Sequence, residues 1–344
     1  MKKKICTLKE LALKLNLSIS TVSRALNNHP DISNETKLKV VNLANKLNYT
    51  PNLFAQGFRK NKTNMIGVIL PNVTHYFSAT ILKGILKQAE VKGYRVFITE
   101  SNNNVKKQSE MLHTMMQFGV DGILMSISKK TKNIKDILDL LDKIPIVLFD
   151  KVSYKIPCTQ IVVNEEEASF KAIEHLIHTG KKRIAIIKED EFSFSSERRF
   201  EGYLRALKEN AIDIDKNLII SCEDLSLEQG RRMTKLLLGL KNKPDAIFAI
   251  TDTAAIGVIK TLKKFNIKIP EDIAVIGFSN SLHSTIIEPK LTTVDQPGEK
   301  IGKTAIEYLV KEIESSEAYV SSKTIEIKTT LIVRDSSLKT TSFI

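Results

Sequence analysis

The chain has 344 residues, 52 Lys and Arg against 39 Asp and Glu for a formal net charge of +13, and a 42% hydrophobic share, which suits a small domain followed by two larger lobes. Its three cysteines, Cys6, Cys158 and Cys222, are isolated, which excludes a disulfide framework or a thiolate metal cluster and fits a reducing compartment. No apolar run is long enough to span a bilayer, and Met1-Lys2-Lys3-Lys4 leads into a charged amphipathic stretch and not a signal segment, so a cytoplasmic location with no membrane partner is expected.

The first elements are helices. Thr7-Leu8-Lys9-Glu10 has the form of a capping box, and Leu8, Leu11, Ala12 and Leu15 follow at helical spacing. Asn16 suits a left-handed turn, after which Ser18 can cap a second helix over Ile19 to Leu26. Two short helices across a brief turn predict a helix-turn-helix. A third helix starting near Ser33 carries Val40, Val41, Ala44 and Leu47 on one face, enough to close a small core. Residues 1–64 hold twelve Lys and Arg against three Asp and Glu, so most of the chain's positive excess lies in under a fifth of its length. That concentration is what a phosphate-backbone footprint requires.

Thr21-Val22-Ser23-Arg24 together with Leu47-Asn48-Tyr49-Thr50-Pro51-Asn52 makes this segment resemble the head of the lactose-repressor (LacI) family. The resemblance implies that the second helix enters the major groove. Arg24 is then the leading base reader, through a bidentate bond to guanine; Ser20 can bond a base or a phosphate, and Ile19 can meet a thymine methyl. Arg24 has a second reading as a phosphate contact. Thr7, Ser18, Thr21 and Asn27 are assigned to backbone contacts and caps. The resemblance also implies a hinge helix that folds on DNA and wedges an apolar side chain into the minor groove. Here Phe58 stands where Leu is usual, Gly57 weakens the helix by about 1 kcal/mol relative to Ala, and Asn52, Ala55 and Gln56 complete the expected contacts. An ordinary flexible linker is the alternative.

From residue 65 short apolar runs alternate with amphipathic helices, the pattern of parallel sheets in an α/β protein. The runs are 65–70, 95–99, 122–125 and 146–149, then 183–187, 218–220, 246–250 and 273–278, two sets of four that echo one another. Two doubly wound lobes explain the echo, with a ligand crevice outside the strands' carboxyl ends. The residues there, Pro71-Asn72, Ser126, Asp150, Lys188 to Asp190, Thr251-Asp252 and Ser279-Asn280, are nearly all polar. The loops Tyr76-Phe77 and Ser193 to Arg199 add aromatic and charged groups, a mixture suited to a sugar or sugar derivative.

The family resemblance extends over residues 5–335 and implies a type I periplasmic-binding-protein-like core. The expected organisation is a head at 1–50, a hinge at 51–63, a first lobe from 64–162 plus 295–325, and a second from 163–294 plus 326–344. By position Phe77, Asp150, Arg199, Phe248 and Asp252 match effector-site or cleft residues of the family, with Tyr76, Ser126, Ser195, Ser279 and Asn280 added. Ser279 departs from the Asp that many members carry, so the effector cannot be copied from a relative. Asp150 and Asp252 have second readings as caps, and Phe77 and Phe248 as core.

Apparent chemical motifs fail. Gly298 to Thr304 is one residue short of a phosphate loop and no strand precedes it; Ile301, Ala305, Ile306 and Leu309 predict a helix instead. His175 and His178 have no third ligand at suitable spacing. No metal, cofactor or catalytic group is expected. The resulting expectation is a regulator acting as a repressor, a homodimer on pseudo-palindromic operator DNA, controlled by a small effector of carbohydrate type. The alternative is a cytosolic solute-binding sensor without operator-specific repression.

Overall fold

The structure, a computed structural model, describes residues 6–50, 62–190, 193–315 and 322–338. They fall into two units, Met1–Thr63 and Asn64–Ile344.

The first unit holds helices α1 (Leu8–Leu15), α2 (Ile19–Leu26) and α3 (Asn34–Lys46). Thr7 Oγ1 accepts the Glu10 amide at 3.2 Å while the Glu10 carboxylate accepts the Thr7 amide at 2.9 Å, closing the predicted capping box. Asn16 takes a left-handed φ of 51°, which ends α1 and turns the chain into α2, capped by Ser18. Leu11, Val22 and Val40 are fully buried, with Ala12, Ala25 and Ala44 between them. Burial of each large side chain is worth about 1.5–3 kcal/mol. Val41 does not join this core: Val40 and Ala44, one turn apart, face inward, and Val41 lies about 100° further round the helix, 40% exposed.

The second unit is two α/β lobes of the same plan. In the first, β1 (Met65–Leu70), β2 (Arg95–Glu100), β3 (Gly122–Met125), β4 (Ile146–Phe149), β5 (Gln160–Val163) and β11 (Thr324–Ile327) form a parallel sheet ordered β11-β5-β4-β3-β1-β2. Helices α4 (Tyr76–Val91) and α12 (Gly298–Glu314) cover one face; α5 (Val105–Gln117) and α6 (Lys135–Leu141) cover the other. In the second lobe, β6 (Ile184–Glu189), β7 (Ile219–Cys222), β8 (Ala246–Ala249), β9 (Ala274–Phe278), β10 (Thr292–Asp295) and β12 (Thr330–Ile332) are ordered β12-β10-β9-β8-β6-β7. Its faces carry α7 (Glu165–His178) with α8 (Phe194–Glu209), and α9 (Leu227–Leu238) with α10 (Asp252–Lys264); a short α11 (His283–Ile286) follows β9.

Two features differ from expectation. Among the described residues there are four strands beyond the expected eight, β5, β10, β11 and β12. The second sheet is also mixed, because β12 pairs antiparallel with β10. The reason is topological. β11 runs parallel to β5 and leaves its sheet at the crevice end, so the chain enters the second sheet beside the carboxyl end of β10, with Thr330 opposite Asp295, and must run backwards. The return itself lies at residues 328–329, later than the expected 325, because β11 keeps pairing with β5 as far as Ile327 opposite Val163.

Helices α4 and α12 touch through their backbones. A Cβ on Gly302 would lie 2.1 Å from the Ile81 carbonyl oxygen, and one on Gly84 2.1 Å from that of Glu299. The glycines of the false phosphate loop therefore serve helix packing, and Ile301, Ala305, Ile306 and Leu309 are buried in the first lobe.

Candidate nucleic-acid interface and ligand cleft

Helix α2 turns Val22 and Ala25 inward and leaves Ser18, Ile19, Ser20, Arg24 and Asn27 exposed, with Thr21 half-buried. Ile19 is 46% exposed, an aliphatic side chain on a polar face with no local packing to explain it. Several neighbours have local bonds. Ser18 Oγ accepts the Thr21 amide at 3.0 Å and lies 2.7 Å from Ser20 Oγ, Asn27 Nδ2 donates to the Ser23 carbonyl at 2.8 Å, and Thr7 belongs to the capping box. Arg24 reaches Asp31 only at 4.0 Å with both side chains exposed, so its guanidinium is little committed. Asn52, Ala55, Gln56 and Phe58 lie outside the described residues.

Between the two lobes lies a cavity of about 340 Å³. Of the expected effector residues, Phe77, Asp150, Ser195, Arg199 and Ser279 line it; Tyr76, Ser126, Phe248, Asp252 and Asn280 do not. Phe248 is fully buried in the second lobe's core, on the side of its sheet covered by α7 and α8. Asp252 is buried and both its oxygens are engaged, one accepting the Ser281 amide at 2.5 Å and the other Thr293 Oγ1 at 2.6 Å. Burial holds its carboxyl above the usual range, opposed by those hydrogen bonds. Ser126 stands behind Asp150, 3.4 Å from its carboxylate, and Asn280 is tied to Asp295 and Arg334. Tyr76 opens α4, 42% exposed, and does not line the cavity.

The lining has a symmetry that follows from the repeated lobes. Asp150 and Ser279 come directly after β4 and β9, equivalent strands, and both have left-handed backbones, φ 59° and 115°. For residues with a Cβ such conformations cost about 1–3 kcal/mol each and persist only where the surroundings enforce them. Ser279 Oγ is held by Gln296 Oε1 at 3.0 Å, and Asp150 by Lys151 at 2.9 Å. Arg199 forms a bidentate pair with the buried Glu165 at 2.6 and 3.1 Å, donates to the Ile250 carbonyl at 2.5 Å, and stacks 3.7 Å from the centre of the Phe278 ring.

The lobes also meet across the cleft. Lys129 of the first pairs with Glu189 of the second, and Tyr154 packs edge-on against Phe194 with ring centres 5.6 Å apart. His75, at the cavity wall, is held below the ordinary imidazole range first by desolvation and next by Lys151.

Further lining groups were absent from the sequence-based set: His75, Asn103, Lys129, Lys151, Gln296 and the turn 224–226. Gln296 follows β10, whose Thr292, Thr293 and Asp295 disguise it as a strand; the stretch Leu291 to Pro297 is part of the family resemblance, but Gln296 was not assigned to the cleft. Asn103 had a signal in principle, since paired Asn residues after a strand favour left-handed turns, and Asn102 and Asn103 both adopt one. Three cavity residues carry buried polar atoms with no hydrogen-bond partner among the described residues: Asn103 Oδ1, Ser195 Oγ and Gln296 Nε2. One comes from the first lobe, one from the second and one from the segment that joins them.

A compact helix-turn-helix unit followed by a two-lobed α/β core with a polar interlobe cleft defines a ligand-binding regulator class. Residues 7–52 match bacterial regulatory proteins, lacI family, and residues 173–337 match the periplasmic binding protein-like domain. The chain is 34% identical to the NTD biosynthesis operon regulator NtdR of Bacillus subtilis, over 96% of this chain and 99% of that one. It is likewise 34% identical to the probable HTH-type transcriptional repressor ExuR of the same organism, over 98% and 99%. The fold superposes on a lac repressor dimer solved with operator and the anti-inducer ONPF at a TM-score of 0.84 and 24% identity, covering 97% of this chain and all of that one. The chain belongs to the LacI family of bacterial transcription regulators; it is a DNA-binding regulator and not an enzyme.

Proposed function

We propose that this chain is a repressor that binds a pseudo-palindromic operator as a homodimer and whose hold on DNA is set by a polyhydroxylated small molecule, of the sugar class, in the interlobe cleft. The observation that carries the reading is the trio Asn103 Oδ1, Ser195 Oγ and Gln296 Nε2. A buried polar atom without a partner costs about 1–3 kcal/mol, so three around one cavity mark a place kept for a polar ligand. One is an acceptor, one a donor and one either, and a hydroxyl group satisfies all three. Because they come from both lobes and the connection between them, a ligand that bonds them favours one relative lobe position. The head supplies the other half: Arg24, Ile19 and Ser20 form the exposed face of α2, and the relatives named above are an operon regulator and a probable repressor.

The test is fluorescence anisotropy of the full chain on DNA from its own upstream region, at graded salt, with and without a panel of sugars. A sugar that binds should change operator affinity at least about tenfold. Arg24→Ala should cost about 1–3 kcal/mol on the operator and much less on random DNA. Sequence-indifferent binding, or an affinity that no cleft ligand alters, would overturn the reading.

A further inference from the structure

Four helices begin at the cavity wall, and they begin differently. The start of α9 is closed by Ser226, which accepts the Gln229 amide, and that of α10 by Thr251, which accepts the Ala254 amide, both at 3.3 Å. The starts of α4 and α8, one from each lobe, have no side-chain cap, although His75 and Ser193 stand in the capping positions. Ser193 is a residue type that ordinarily caps, yet its hydroxyl does not. Ser193, Ser195 and Ser196 all line the cavity, and Ser195, 8% exposed, is one of the residues whose side-chain oxygen has no partner among the described residues.

Formal charge does not balance this opening. Lys129 is matched by Glu189, Lys151 by Asp150, Arg199 by Glu165, and Glu197 in the first turn of α8 by Lys188 at 2.7 Å, while Asp224 is exposed at the rim and accepts the Ser226 amide. What remains is the positive end of a 16-residue helix, equivalent to about half an elementary charge, with open amides and an unused hydroxyl beside it. That combination recognises an anion.

We propose that the cleft ligand carries an anionic group, phosphate or carboxylate, seated at the N-terminus of α8 against Ser195 and the first-turn amides. This rests on the cleft being the ligand site and adds the charge of the molecule that fills it. The hydroxyl-bearing remainder then extends toward Asn103 and Gln296. An acidic or phosphorylated sugar fits, and a neutral sugar leaves the helix end unanswered.

The experiment uses the full-length protein, with inorganic phosphate and acetate titrated at constant ionic strength against chloride and thermal unfolding as the readout. Phosphate, acetate or both should raise the midpoint in a saturable way. Ser195→Asp places a carboxylate at the helix start, where it favours the fold, and should weaken the anion's apparent affinity at least about tenfold. Ser195→Ala keeps the amides and should weaken it less. Response to phosphate alone assigns a phosphorylated ligand, and response to acetate a carboxylate. No saturable shift with either anion, or a shift that Ser195→Asp leaves intact, overturns the proposal. If a neutral sugar then still binds the wild-type protein and alters operator affinity, the cleft reading stands without the anion site; if none does, both fall.

Discussion

His175 lies on the face of α7 toward the chain's end, with Nε2 2.8 Å from Ser337 Oγ. Desolvation, then His178, holds its imidazole below the ordinary value of 6.5. A group with a depressed folded-state value binds its proton more readily in the unfolded chain. Its contribution to stability is therefore intact above about 6.5 and is lost as pH falls below it. Urea unfolding midpoints measured from pH 7.5 to 5 should fall for the wild type and fall less steeply for His175→Gln. Equal slopes would remove His175 as a cause. The same scale shows how much of the cleft was legible. Asp150 and Ser279 follow from the rule that crevices open past strand ends, because their strands were visible, while Phe77 and Arg199 come from the loops after two of those strands and from the family resemblance; all four line the cavity. Phe248, named through the resemblance, and Asp252, named through both the resemblance and the strand-end rule, do not line the cavity; next to a strand end, one residue's difference decides whether a side chain meets the cavity or the core. Asp252 lies between Thr251 and Thr253, which do line it.

Elements were easier to read where their hydrophobic pattern was unbroken by polar residues. The three head helices and the eight expected strands are present, while the four unexpected strands are three or four residues long and carry polar groups such as Gln160, Thr292, Thr293 and Asp295. So short a run, half polar, does not differ from a loop by periodicity; it becomes a strand because a neighbouring edge pairs with it. Helix pairing was less visible still. Nothing in the composition of α12 announces that Gly302 lies against the backbone of α4, yet its missing Cβ sets the approach of the two helices. Gly302→Ala keeps helix propensity, in fact raises it, and must push the pair apart. A loss of about 1–3 kcal/mol in urea unfolding is expected, where an isolated helix would gain about 1. Unchanged or increased stability would show that the helices slide apart freely.

For the two-lobed unit as a whole, the relevant equilibrium is between lobe positions. Phe194, the first residue of α8, packs on the first lobe's core and against Tyr154, so the helix that begins at the cleft also clasps the opposite lobe. Lys129 and Glu189 add an ion pair across the same gap. Phe194→Ala should shift the population toward open lobes, read as a larger radius of gyration in solution scattering and a weaker apparent ligand affinity. A variant with wild-type scattering and affinity would show that the clasp does not set the lobe equilibrium.

The first lobe's core takes Ile301, Ala305, Ile306, Leu309 and Val310 from α12, and its edge strand β11 comes later still, whereas the head's core is complete by Ala44. On the ribosome the order of events follows. The head has all its buried residues once Ala44 is made, but the first lobe waits for α12 and β11, which follow most of the second lobe. A nascent or truncated chain that stops before α12 therefore has a complete head core beside a first lobe that still lacks Ile301, Ala305, Ile306, Leu309 and Val310.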